Sequence, residues 1–251
     1  MVVTVVPLAV LVGLWFDRSG RPRRGIIAAW WVLACGYLLF QYSTQGVGND
    51  EVHYLASTWA HMRLDAHEYM KTWLAQTLPM REWVMRPYLW LGLSPSATIL
   101  VARLSMAVCA LLCAVIVAVT GRRFDRSGSV APVMGAMALF SFSGLPMVGA
   151  RPEYFALVFM VIAFWLLVAP PRRLDERLSV SLAFLLLAVA ASISLRQVVP
   201  AVAALIALLV EPGKLRRPSA LGWAVFGGLV GALPTLVHIL ANSSFTAVYY
   251  G

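Results

Sequence analysis

Long apolar runs alternate with short charged loops along almost the whole chain. Runs near 26–44, 98–120, 129–149, 153–169, 178–195, 197–210 and 219–240 mostly approach the ~20 residues that a helix needs to cross a bilayer. A β-barrel would need short alternating segments, and open sheet edges are excluded from lipid, so the runs predict helices. Residues 1–16 add one more apolar stretch. It lacks the basic leading region and small-residue cleavage site of a signal peptide, and it is predicted as an extra helix, spanning or interfacial. The pattern is that of an all-α, polytopic membrane protein with seven membrane helices and this extra N-terminal one. Two regions follow: 1–24, an apolar segment with a basic loop, and 25–251, the membrane module.

The longest interruption is the loop 45–97, where the period changes. In "DEVHYLASTWAHM", Val52, Leu55, Ala56, Trp59 and Met62 recur at helical spacing, leaving Glu51, Tyr54, Thr58 and His61 on another face. A second stretch, "HEYMKTWLAQTL", repeats the pattern through Met70, Trp73, Leu74 and Thr77 until Pro79 interrupts it. Both are predicted as amphipathic helices in the headgroup boundary, apolar face toward lipid. The loop aromatics fit an interfacial belt.

Composition agrees: 61% of residues are hydrophobic and 12% charged, where a soluble domain carries about 25% charged. The net charge of +9 is topology rather than a nucleic-acid footprint. Arg18, Arg21, Arg23, Arg24, Arg122, Arg123, Arg126, Arg172, Arg173, Arg177, Lys214, Arg216 and Arg217 place thirteen of the twenty basic residues in four short loops on one side. Such loops face the cytoplasm, so the loop 45–97 faces outward. The cysteines Cys35, Cys109 and Cys113 all lie in apolar runs, with neither metal-ligand spacing nor a disulfide framework.

Chemistry gathers at the outward ends. Asp50 and Glu51 are two of only eleven acidic residues, and they are adjacent where the chain leaves the first membrane run. One account is local: Asn49 or Asp50 N-caps the first interfacial helix, with Glu51 at the positive end of its dipole. The other is catalytic. "GARPEYFAL" sets Arg151 and Glu153 at an outward hairpin turn, and "SISLRQVVPA" sets Arg196 at the next. Charges at membrane depth are costly and pair with one another or face a polar cavity, unless they snorkel to the interface. For Arg103, close to a segment start, snorkelling is the expectation. No His pair stands at i,i+4, so no metal site is expected; Asp50 and Glu51 could offer oxygen ligands to a divalent cation, a thin site.

One membrane helix, then "NDEVHYL", a long outward loop, the returning helix "ILVARLSMAVCALLCAVIVAVTGRRF", "GARPEYFAL" and "SLRQVV" follow one another in an order that resembles a known family. This is the polytopic C-type (GT-C) glycosyltransferases that use polyprenyl-phosphate sugars, among them protein O-mannosyltransferases and bacterial aminoarabinose transferases. The resemblance implies that Asp50 is the catalytic acid acting on the acceptor nucleophile and Glu51 its catalytic neighbour. It implies that Arg151 and Glu153 border the active-site cavity, with Arg196 at a basic hairpin tip and Tyr54 among the substrate contacts. Lys71 of "KTWL" stands where relatives carry His/Lys-Pro-Pro-Leu, here without the prolines. The implied partners are a polyprenyl-phosphate sugar donor, the bilayer, and a glycan, lipid or protein acceptor, with no cofactor and no nucleic acid. The implied location is the cytoplasmic or endoplasmic-reticulum membrane, active site outward. The chain stops at "SSFTAVYYG", just past the seventh helix of the family module, so a C-terminal portion or a partner subunit is expected to complete it. A transporter or flippase for a lipid-linked sugar, and a non-catalytic assembly subunit, are the competing classes.

Overall fold

The computed structural model describes residues 49–64, 79–123, 150–171, 173–194, 197–210 and 218–241, with parts of 28–40 and the single positions 131 and 135. Its helices are α1 (Asn49–Arg63), α2 (Pro79–Trp90), α3 (Pro95–Gly121), α4 (Glu153–Val168), α5 (Glu176–Ile193), α6 (Val198–Val210) and α7 (Pro218–Ala241). Among the described residues there is no strand. The chain divides into two compact units: 1–45 with 107–148, and 46–106 with 149–251.

In the second unit α5 is the element on which α2, α4, α6 and α7 all pack. Its buried face carries Val180, Ala183, Phe184 and Leu187, which meet Ala163 and Leu166 of α4, Ala204 of α6 and Ala224 of α7. Small residues let helix backbones approach closely where lipid supplies no hydrophobic drive between helices. Gly227 and Gly231 of α7 show this best. They lie against the Ser181 and Leu185 carbonyl oxygens of α5, where a Cβ would collide with backbone. Near the start of α5, Ser179 Oγ donates to the Leu166 carbonyl at 2.7 Å, tying α5 to α4.

The connection from α2 to α3 is written in turn residues. Gly92 takes φ +62°, a left-handed conformation that glycine adopts without steric cost. Ser94 Oγ then accepts the Ala97 N–H at 3.4 Å, a serine cap followed by proline in the first turn. Helix α2 was not anticipated. Pro79, expected to end a helix over 67–78, instead begins one, and Pro87 sits within it. The expected helix over 67–78 lies outside the described residues.

In the first unit the described residues between 28 and 40 are helical. Here Cys109 and Cys113 are buried on α3, and all three cysteines are free thiols. Gly135 approaches Ala118 Cβ, the Ala114 carbonyl oxygen and the Trp31 ring, where a Cβ would come within 2.7–2.8 Å of each.

Among the described residues three helices are long and apolar enough to cross a membrane: Pro95–Gly121, Glu176–Ile193 and Ala220–Val237. Leu221, Phe226, Leu229, Leu233 and Val237 of α7 stand exposed, each between 40% and 60%, a continuous apolar surface that water does not favour. The chain is a membrane protein. Seven crossings were expected. Of those runs, α4 spans 16 residues and α6 only 13, or about 24 and 20 Å of helix against a hydrocarbon core of about 30 Å. The runs at 1–16 and 129–149 fall almost wholly outside the described residues, and 26–44 is described only in part.

Candidate functional site

Helix α1 is turned with its polar face inward. Glu51, Tyr54, Ser57 and Thr58 are buried, while Val52, Trp59 and Met62 are exposed. The face split expected from the sequence is present, and the buried half is the polar one. Its hydroxyls stay satisfied locally: Ser57 Oγ and Thr58 Oγ1 both donate to the Tyr54 carbonyl, at 3.0 and 2.8 Å.

Glu51 is 2% exposed and Arg103 of α3 is 5% exposed. Arg103 Nε donates to Glu51 Oε1 at 2.8 Å and Nη2 to Oε2 at 2.6 Å, a two-pronged pair. Oε1 also accepts the backbone N–H of Ala150 at 2.6 Å. Arg103 therefore does not snorkel. About two turns into α3, it is too deep to leave the helix bundle cheaply, and a carboxylate of matching planar geometry meets it there. With both Glu51 oxygens engaged, this carboxylate has little to offer a cation. Among the described residues no group of three His, Cys, Asp or Glu is placed to hold one.

Three residues further along each element lies a second cluster. Tyr54 Oη donates to Glu153 Oε1 at 3.1 Å. Arg81 of α2 stacks its guanidinium 5.1 Å from the Tyr54 ring centroid, and its Nη2 stands 3.8 Å from Glu153 Oε1. Arg81 Nε donates to the Ile193 carbonyl at the C-terminus of α5, at 3.3 Å. A cation there meets both a terminal carbonyl and the negative end of a helix dipole. Burial raises the Tyr54 phenol above its usual value. The nearby Glu153 charge and the hydrogen bond to it raise it further, while Arg81 and Arg151 pull the other way.

The residues singled out from the sequence thus fall as follows. Glu51, Tyr54 and Glu153 come together, through the 150–153 turn that α1 grips at both ends, and Arg151 sits within that turn, partly exposed. The helix begins at Asn49, so Asn49 and Asp50 occupy its first turn rather than a position before it. The side chain of Asp50 lies outside the described residues, as do Lys71 and Arg196 altogether. Arg81 was overlooked, and Arg103 was assigned to the interface. A charge deep in an apolar helix, in a chain with so few acids, was the available signal for Arg103. Arg81 had no such signal, because its surroundings come from three separate segments.

No family model, no curated protein and no solved structure matches this chain.

Proposed function

We propose that the chain is a membrane glycosyltransferase, or the N-terminal module of one, that moves a sugar from a polyprenyl-phosphate donor to an acceptor hydroxyl or lipid on the outer face. The observation that carries it is the Glu51–Ala150 hydrogen bond beside the Glu51–Arg103 pair. It ties the acidic start of α1 to the turn holding Arg151 and Glu153, so the chemistry spread over a hundred residues belongs to one cluster.

In this proposal the two adjacent acids divide the work. Asp50 takes the proton of the acceptor hydroxyl as the sugar–phosphate bond breaks, a contribution typically worth ~10²–10⁴-fold. Glu51 is a positioning residue rather than a second base, since its oxygens are held by Arg103 and Ala150. Arg151, in the same turn as Glu153, is assigned the stabilisation of the phosphate as negative charge develops on it. The donor's hydrocarbon tail enters sideways between apolar helices, and the chain crosses the membrane several times with its basic loops in the cytoplasm.

The test is a transfer assay in proteoliposomes with a polyprenyl-phosphate sugar and a panel of hydroxyl acceptors. Release of free polyprenyl phosphate coupled to acceptor glycosylation is expected. Passage of intact donor across the bilayer without that release would replace the proposal with a transporter.

A further inference from the structure

Arg81 and Glu153 are each held by one edge. Arg81 spends Nε on the Ile193 carbonyl and its flat face on Tyr54. Glu153 spends Oε1 on the Tyr54 hydroxyl. Among the described residues, neither Nη of Arg81 reaches a hydrogen-bond acceptor, the nearest carboxylate oxygen standing at 3.8 Å. Glu153 Oε2 is closed off from solvent with no donor.

A carboxylate oxygen shielded from water and left without a donor is costly, of order 1–3 kcal/mol or more for a charged group. The neighbouring Glu51 and Arg103 avoid that cost by closing on one another with two short hydrogen bonds. Arg81 and Glu153 do not close, because the Ile193 carbonyl holds the guanidinium back and the Tyr54 hydroxyl fixes the carboxylate. Their side chains keep 19% and 21% exposure. The terminal torsion of a glutamate is broad, so a modest rotation brings Oε2 toward the exposed fifth of its side chain.

We infer that Arg81 and Glu153 form one recognition pair for a ligand that carries a phosphate next to a hydroxyl. The guanidinium donates its two Nη groups to phosphate oxygens, the planar fork suiting that geometry. The carboxylate accepts from the neighbouring hydroxyl through Oε2. A phosphate alone satisfies only half of the pair and meets repulsion from Glu153, whereas a glycosyl phosphate satisfies both halves. The choice of glycosyl phosphate rests on the proposed function; the unmet donors and acceptor do not.

The full chain in lipid nanodiscs, titrated with dodecyl phosphate and with a dodecyl phosphate bearing one hexose, tests this. Arg81→Ala should weaken both probes at least ~10-fold, the scale of a charge-assisted pair, and Arg81→Lys should recover part of the loss. Glu153→Gln should leave dodecyl phosphate bound as well as or better than before, while weakening the hexose-bearing probe several-fold. A merely structural role would move both probes together. Equal weakening of the two by Glu153→Gln, unchanged binding by Arg81→Ala, or no binding of either probe by the wild type would each overturn the inference. Transfer measured on the same samples separates the two ideas. Binding without transfer refutes the proposed function and leaves the pair, whereas transfer with an unaltered KM in Arg81→Ala refutes the pair alone.

Discussion

The Glu51–Arg103 pair invites the most direct perturbation of the fold around the site. Arg103→Met removes a guanidinium that makes two hydrogen bonds of 2.6–2.8 Å to a carboxylate 2% exposed. Glu51 then loses both of those hydrogen bonds and its two-pronged counter-charge, and its own charge stays buried. Breaking a buried pair from one side costs about 3–5 kcal/mol, most of it the stranded charge. For a chain of this size each kcal/mol moves the melting midpoint by roughly 2–4 °C, so a fall of roughly 6–20 °C is expected. Glu51→Gln should cost a similar amount, because the amide keeps the shape but takes the carboxylate charge away from the buried Arg103 guanidinium. The double variant Glu51→Gln/Arg103→Met strands no charge, so its cost should be well below the sum of the singles, with a coupling of about 2 kcal/mol or more. Thermal unfolding in a mild detergent, followed by intrinsic tryptophan fluorescence, measures all four corners. Single variants within about 1 °C of wild type, or strictly additive effects, would show that the pair is solvated and holds nothing together.

Two other outcomes follow from the packing and from Tyr54. The Tyr54 phenol titrates above its usual value of 10, so its neutral form contributes stability that is complete below pH ~10 and is lost as pH rises through the folded-state value. The unfolding midpoint should therefore drop as pH rises above about 10, and less steeply in Tyr54→Phe; an identical slope in that variant would refute the assignment. Gly227→Ala puts a methyl against the Ser181 carbonyl, whereas Gly228→Ala meets nothing within 4 Å. The first should cost ~1–3 kcal/mol and the second should be neutral or mildly stabilising, as read from the same melting curves.

The helical, membrane-bound character was legible because apolar runs of bilayer length leave little else to form. The polarity of α1 was legible too, since Val52, Trp59 and Met62 keep strict helical spacing. Helix α2 was hidden by Pro79, which marks a helix start as readily as a stop when its missing N–H falls in the first turn. The pairing of Glu51 with Arg103 could not be read from spacing, because 52 residues separate the partners and only the folded chain brings them together. The same holds for Arg81, whose contacts come from α1, α4 and α5 at once. What the sequence did show was the set of chemically expensive residues at helix ends, not the partners among which they are shared.

The central claim is that two adjacent acids have separate jobs, Asp50 in the chemistry and Glu51 in holding the site. The deciding measurement is a paired one: transfer rate and melting midpoint for Asp50→Asn and Glu51→Gln, in the full-length protein with a polyprenyl-phosphate sugar. Asp50→Asn should lower the midpoint by no more than about 4 °C, since an acidic charge in the first turn of a helix is worth about 0.3–1 kcal/mol, and should lose at least ~10²-fold in transfer. Glu51→Gln should lose stability, and its transfer should fall only as far as folded protein is lost. Near-normal transfer by Asp50→Asn, or an undiminished midpoint with abolished transfer in Glu51→Gln, would contradict that division.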